Sequence, residues 1–492
     1  MYSHFQYDAK MRSIPRLRLL IPPALCWSMG AFATVSNELP DLGDSSSAVV
    51  SLEVEQEIGK QLLREVHAQV PTVSDPILKY FTETQLYRLA EHSELKRKQL
   101  FPVLIDAQEI NAFAAPGGVI GINLGLYLAA EDMDEYSAVL AHELAHLSQR
   151  HFARQIEMQQ QSALPYLAAM LASIVIAATT GSDAGIAALS TTQAIAQSNQ
   201  LRFSRDREAE ADRIGINTLA QADLDPAAMG QMFERMQRAY RFSRRPPEFL
   251  LTHPISEARI SDARNQAAGY PPKVYQESEE FQLMRARAMV HYAATPAQAV
   301  AQFKALVERT DGADWAYYGL TLALSSAGDH DEALDTGKPL FAKHADSLIY
   351  TASEAQLLIA AKRYDDAIAL LLPGLNVNPE NKPLSILYAD ALSGAKRYRE
   401  AQAVLLRQSL RYPDDIDVWY DLAETSGLAG DIVQVHLARA EYFARIGSLQ
   451  KSIQHLEYAR GLVSKDNYRL TAMLDQRIRD LSAELAESQK RS

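Results

Sequence analysis

At 492 residues the chain has room for two to four domains at the usual ~100–200 residues each, and 47% hydrophobic against 22% charged residues excludes global disorder. Acids outnumber bases 61 to 49, for a formal net charge of −12, which argues against nucleic acid as a partner because phosphate-binding surfaces are basic. Cys26 is the single cysteine, so neither a disulfide framework nor a thiolate site can form, and any metal must be held by histidine and carboxylate.

Residues 1–33 have the pattern of an export signal. Arg12, Arg16 and Arg18 precede an apolar stretch from Leu19 to Phe32, and Ala31-Phe32-Ala33 has the small-x-small form of a cleavage site. At ~15 residues with Pro22 and Pro23 inside, the stretch is shorter than the ~20 a spanning helix needs. Cleavage after Ala33 would remove Cys26, one acid and four bases, taking the net charge from −12 to −15. Met11 is an alternative start. A polar leader is expected over 34–50, then a first helix near 51–69. From Phe101 the pattern becomes Phe-Pro-Val-Leu-Ile, Ile110-Asn-Ala-Phe113 and Pro116-Gly-Gly-Val-Ile-Gly-Ile, which predicts short strands joined by tight turns. Asp134 to Arg150 predicts a helix. Residues 163–179 carry no charge; a buried helical hairpin and contact of 163–190 with a membrane surface or partner are both open.

After residue 268 the sequence becomes repetitive. Ala299, Ala333, Ala367 and Ala401 lie 34 residues apart, Tyr364 and Tyr398 keep the same interval, and so do Pro379 and Pro413. This period resembles the tetratricopeptide repeat, a stack of paired helices. Val435 occupies the next alanine position, so the period is expected to weaken after Gly430, leaving irregular or capping helices over 436–485. Tyr270-Pro271-Pro272 is the expected boundary.

The chemistry is carried by His142-Glu143-Leu-Ala-His146. Residues four apart share a helical face, so two imidazoles can grip one ion, with Glu143 placed as general base of a zinc hydrolase. A third ligand is needed. Glu208 is the candidate, in Ser204-Arg205-Asp-Arg-Glu208-Ala-Glu210-Ala-Asp212, with Asp212 one turn on to orient a ligand imidazole. Glu210 faces away from Glu208 on that helix. His151, five residues beyond His146 on what the pattern treats as one helix, is expected at the surface. Gln149 and Phe152 stand where a metzincin has glycine and histidine, excluding that class.

His142-Glu143-x-x-His146 followed by Ser204-Arg205-x-x-Glu208-x-x-Ala211-Asp212, with Asn111-Ala-Phe-Ala-Ala-Pro-Gly-Gly118 and Leu251-Thr-His253-Pro254, resembles the M48 family of zinc metallopeptidases, in an exported form with C-terminal repeats. The resemblance implies a mainly α fold with a small β element: a zincin-like metallopeptidase domain (51–269) followed by an α-solenoid of repeats (270–492). It implies one Zn2+ per chain on His142, His146 and Glu208, catalysis by Glu143 with Asp212, and His253 near the metal as catalytic or regulatory residue holding the enzyme latent. It further implies pairing of extended substrate with the strand at Asn111, Ala112, Phe113 and Ala114. The implied location is the periplasm, at or near the outer membrane. Misassembled or stalled outer-membrane β-barrel proteins are the implied substrates, and the barrel-insertion machinery the implied partner through the repeats. Arg259 is expected to steady the His253 loop or to bind substrate carbonyls. The alternative is a chaperone or scaffold for barrel assembly, with the zinc site serving structure or regulation; a pseudoenzyme is a third reading.

Overall fold

The computed structural model describes residues 50–158, 205–241, 248–464 and 466–491. The expected export signal, leader and uncharged stretch of 163–190 lie outside these residues. Among the described residues no helix is long and apolar enough to cross a membrane.

Helix α1 (Leu52–Gln69) starts where Ser51 accepts from the Val54 amide, with Glu53 and Glu55 in the first turn, complementing the helix dipole. Helix α2 (Pro76–Glu91) starts with proline at its head and the Asp75 carboxylate accepting from two backbone amides. Between α1 on one side and α2 with the helix of His142 and His146 on the other lies a three-stranded sheet, in the order β1 (Phe101–Ile105), β3 (Val119–Asn123), β2 (Ala112–Ala115). β1 runs parallel to β3 and β2 antiparallel to it. Val103, Ile105, Ala115 and Val119 pack with Ile58, Leu62 and Val66 of α1. Leu104, Ala112, Ile120 and Ile122 face the main core on the other side.

The two sheet edges differ. β1 is covered at its end by Thr72, which bridges Ile105, and its Leu100 carbonyl accepts the Tyr87 hydroxyl. Pro102, in the middle of β1, has no amide hydrogen to offer, a common way of blunting an edge. On β2, Asn111 and Asn123 are joined by a ladder bond; by antiparallel alternation the backbone groups of Ala112 and Ala114 then point away from β3. Gly59 of α1 fixes this hairpin in place. A Cβ there would come within 2.3 Å of the Pro116 carbonyl oxygen.

Helix α4 (Met133–Ser148; the one-turn α3 is Gly125–Ala129) opens with Asp132 accepting from the Glu135 amide while Glu135 accepts from the Glu131 amide, a reciprocal cap. It is buried without a break from Glu135 to His146. It ends two residues before the expected Arg150, which has φ +49°, and α5 (His151–Met158) sets off in a new direction.

Helices α6 (Arg205–Gln221), α7 (Ala228–Arg241), α8 (Glu248–Thr252) and α9 (Glu257–Ala267) complete the peptidase part, and α10 (Glu279–His291) leads into the repeats. The second helices of successive repeats begin at Pro296, His330, Tyr364, Tyr398 and Ile432, each 34 residues on. The turns within them place Gly328, Lys362, Lys396 and Gly430 at positive φ on the same interval. The expectation of irregularity after Gly430 is therefore corrected: Val435 departs in residue type, but Ile432–Arg445 and Leu449–Leu462 keep the geometry. A 24-residue helix, Tyr468–Arg491, ends the array.

The described residues pack as one compact unit, and Tyr270-Pro271-Pro272 falls in the connection between Ala267 and Glu279. Lys79 on α2 lies 2.9 Å from Asp415 and from Asp417. Lys382 lies 2.8 Å from Asp415 and from Glu83. Asp75, besides capping α2, takes the Arg287 guanidinium at 2.5 Å. At the far end of the array Glu484 meets Lys60 and Arg64 of α1.

Burial alone would raise the Asp415 carboxyl, but Lys79 and Lys382 hold it well below the usual carboxylate range. Its contribution to stability is present above the unfolded value of about 4 and is lost as pH falls through the depressed folded value. Asp415→Ala removes the carboxylate shared by two lysines whose side chains are 19% and 7% exposed, leaving Asp417 to Lys79 and Glu83 to Lys382, and should cost about 1–3 kcal/mol in urea unfolding at pH 7. The gap to wild type should narrow as pH is lowered toward 3; a gap independent of pH would contradict this assignment.

Candidate metal centre

Two helices and one loop converge on the site. On α4, His142 and His146 present Nε2 atoms 3.0 Å apart. Helix α6 lies along α4, its Gly215 so close that a Cβ would stand 3.2 Å from the His142 amide nitrogen, and it delivers Glu208 and Asp212. The loop between α8 and α9 carries His253, whose amide donates to the Phe249 carbonyl at 2.8 Å and whose ring stacks on Phe249 at 4.7 Å.

Glu208 Oε1 lies 3.5 Å from His146 Nε2, and Oε2 lies 3.6 Å from His142 Nε2. His253 Nδ1 lies 3.3 Å from His142 Nε2 and 3.1 Å from Glu208 Oε1. Ligand atoms around a tetrahedral zinc with bonds of about 2.0–2.2 Å stand about 3.3–3.6 Å apart. The donor set therefore fits zinc, with His253 as fourth vertex. The charges fit as well. Glu143, Glu208 and Asp212 are buried beside the guanidinium of Arg259, an acidic cluster whose charge a divalent cation would help neutralise.

The surrounding groups aim these donors. Asp212 Oδ1 lies 2.9 Å from His142 Nδ1, so a proton held there leaves Nε2 bare for a metal. Arg259 grips Asp212 through two bonds of 2.7 Å, Glu208 Oε2 at 2.8 Å and the Pro254 carbonyl at 2.9 Å, with its guanidinium 4.7 Å from the centre of the Phe233 ring. Of the two roles expected for Arg259, the structure favours steadying the loop. Burial pushes the Asp212 and Glu208 carboxyls up, but Arg259 and the histidines outweigh it and hold both below their ordinary values. The His146 ring is driven well below its ordinary value by burial and by neighbouring positive charge.

The expectation for His151 is overturned. Its side chain is wholly buried, with Nδ1 2.8 Å from His146 Nδ1 and Nε2 3.0 Å from Glu210 Oε2. On a continuous helix a residue five places on points elsewhere. The left-handed Arg150 breaks the helix and swings His151 back. Glu210, facing away from Glu208 as expected, is engaged here.

Glu143 is 1% exposed. Burial raises its carboxyl, His253 and His142 opposing. Its Oε1 is enclosed without a hydrogen-bond partner, 3.6 Å from His253 Nε2. The Ala114 amide at the free edge of β2 is near enough to act on this carboxylate, which joins the β2 edge to the site. Asn111 and Ala112 are buried and the Phe113 ring covers Gly121 on the far face of the sheet, so within Asn111–Ala114 the partly exposed outward backbone is that of Ala114.

The peptidase family M48 pattern matches residues 81–267, and a tetratricopeptide repeat pattern matches 358–424. The β-barrel assembly-enhancing protease of Escherichia coli K12 is 33% identical over 454 residues, spanning 91% of this chain and 92% of that protein. The chain belongs to peptidase family M48. A Yersinia pestis protein of the same name is 31% identical over 92% of this chain and 94% of its own length. The mitochondrial metalloendopeptidase OMA1 of Schizosaccharomyces pombe is 31% identical over 43% of this chain and 60% of its length, a match that stops short of the repeats' full extent. Family membership makes the chain a zinc metalloendopeptidase.

Asp212→Ala should weaken zinc retention about 10–100-fold in competition with a chromogenic chelator. Unchanged retention would separate Asp212 from the metal.

Proposed function

We propose that this chain is a periplasmic endopeptidase held latent by His253, acting on outer-membrane β-barrel proteins that have stalled before assembly. The observation that carries the latency is the position of His253 Nδ1, 3.1–3.3 Å from the ligand atoms of Glu208 and His142, where a fourth donor completes a tetrahedron. The names of the full-length relatives support the substrate class.

His142, His146 and Glu208 would hold zinc, which supplies Lewis acidity toward a peptide carbonyl and toward water. His253 fills the position that a substrate and its attacking water need, and the site has almost no exposed surface: His142 0%, Glu143 1%, Glu208 2% and His253 2%. Opening requires the His253 loop to part from Glu208 and from the Arg259 bond to Pro254. With His253 withdrawn, the raised carboxyl of Glu143 takes the proton of the attacking water at Oε1 and returns it to the leaving amine. Extended substrate lies along β2, where Ala114 offers outward backbone groups beside Glu143 and Pro102 blunts the opposite edge. The repeats bring the substrate or the insertion machinery to this cleft.

The test is cleavage of an unassembled outer-membrane β-barrel protein by the purified chain, with zinc content measured on the same samples. Glu143→Gln should keep zinc and lose about 10²–10⁴-fold in rate. His253→Ala should keep zinc and cut faster than wild type. A Glu143→Gln protein that still cuts would end the catalytic assignment, and a slower His253→Ala would end the latency. If zinc is bound and no variant cuts, a scaffold acting through the repeats becomes the better account.

A further inference from the structure

His151 and Glu210 donate nothing to the cluster of His142, His146, Glu208 and His253, yet they are tied directly to one of its members. The contacts form a line: His146 Nδ1 to His151 Nδ1 at 2.8 Å, His151 Nε2 to Glu210 Oε2 at 3.0 Å, Glu210 Oε2 to Arg154 Nη1 at 3.2 Å. With His151 neutral, one placement of protons satisfies the whole line. The Glu210 carboxylate only accepts, so His151 carries its proton on Nε2. Its Nδ1 is then an acceptor, so His146 carries a proton on Nδ1 and leaves Nε2 bare, pointing into the cluster.

We propose that His151 and Glu210 are positioning residues that fix the His146 ring in the tautomer and orientation of a metal donor, an inference that rests on His146 being a zinc ligand. The two ligand histidines are thereby held by different devices. His142 meets a carboxylate directly. His146 meets a neutral ring, and its carboxylate stands one ring further out, paired with Arg154. A second carboxylate in direct contact would add a further negative charge to a buried acidic site; the interposed ring supplies the orientation without that charge. The backbone is arranged for it. Arg150, at φ +49°, turns α5 back toward α4 and is anchored to the Val50 carbonyl at 2.6 Å and to Glu55 at 3.3 Å. Arg207 holds the next turn through Gln155 at 3.1 Å.

The experiment measures zinc dissociation from the full-length chain against a chromogenic chelator, for wild type, His151→Ala, Glu210→Ala, the double variant and Glu210→Gln. The unfolding midpoint of each zinc-free protein is recorded alongside. His151→Ala and Glu210→Ala should each weaken zinc binding about 10–100-fold. The double variant should be no weaker than the worse single one, because among the described residues Glu210 reaches His146 through this ring. Glu210→Gln, whose amide oxygen still accepts, should recover most of the affinity. Glu210→Ala should leave the zinc-free midpoint unchanged, since this side chain is 31% exposed; it carries the test should His151→Ala fail to fold. Wild-type affinity in His151→Ala or in Glu210→Ala overturns the relay, as do losses at 151 and 210 that simply add. A wild-type chain that binds no zinc overturns the metal centre and the relay together.

Discussion

Three carboxylates and four imidazoles lie in the core with at most 5% of any of them exposed: Glu143, Glu208, Asp212, His142, His146, His151 and His253. Isolated charges there would cost several kcal/mol each, so the surrounding architecture answers to their neutralisation. Arg259 spans Asp212, Glu208 and the Pro254 carbonyl, so a single guanidinium sets charge balance and geometry for α6 and for the loop that bears His253. The cluster remains acidic around the imidazoles, an environment suited to a divalent cation.

The part of the site that spacing can encode was legible in the sequence. Two histidines four apart, and Glu208 with Asp212 four apart, need only a continuous helix to share a face, and α4 and α6 are continuous across those positions. His151 was misjudged because its placement depends on the one backbone feature between it and His146, a left-handed arginine; nothing in the sequence distinguishes Arg150 from the arginines on ordinary helical turns. His253 and Arg259 sit 45 and 47 residues from the carboxylates they touch, and no periodicity links them. For His253 it was the family likeness, through Leu251-Thr-His253-Pro254, that pointed to the metal; for Arg259 the identity of its partners came only from the fold.

The repeats show the same division. Alanine and tyrosine recur where helices touch, and these positions set the 34-residue period. The tight turns were less visible, because two of the four use glycine and two use Lys362 and Lys396 in the same left-handed conformation, at a cost of roughly 1–2 kcal/mol per residue borne by the packing on either side. Where alanine gives way to Val435 the residue pattern fades although the helices continue. The ionic clamp of Lys79, Lys382 and Asp415 was out of reach of any local pattern, since it ties Lys79 to Asp415 across 336 positions and Glu83 to Lys382 across 299. It seats the array against α2, so the repeats meet a partner from a fixed platform.

The unequal edges of the small sheet carry a consequence for selectivity. Under the proposed function, a site that recognises its substrate through the main chain of β2 reads no side-chain code; it asks only for a strand whose own hydrogen-bonding groups are unspent. A closed barrel has spent all of them, each strand paired on both sides. A mature barrel would then be immune without any dedicated signal of completion, and susceptibility would end strand by strand as closure proceeds. Discrimination between finished and unfinished molecules would thus come from topology alone, at a sheet edge four residues long.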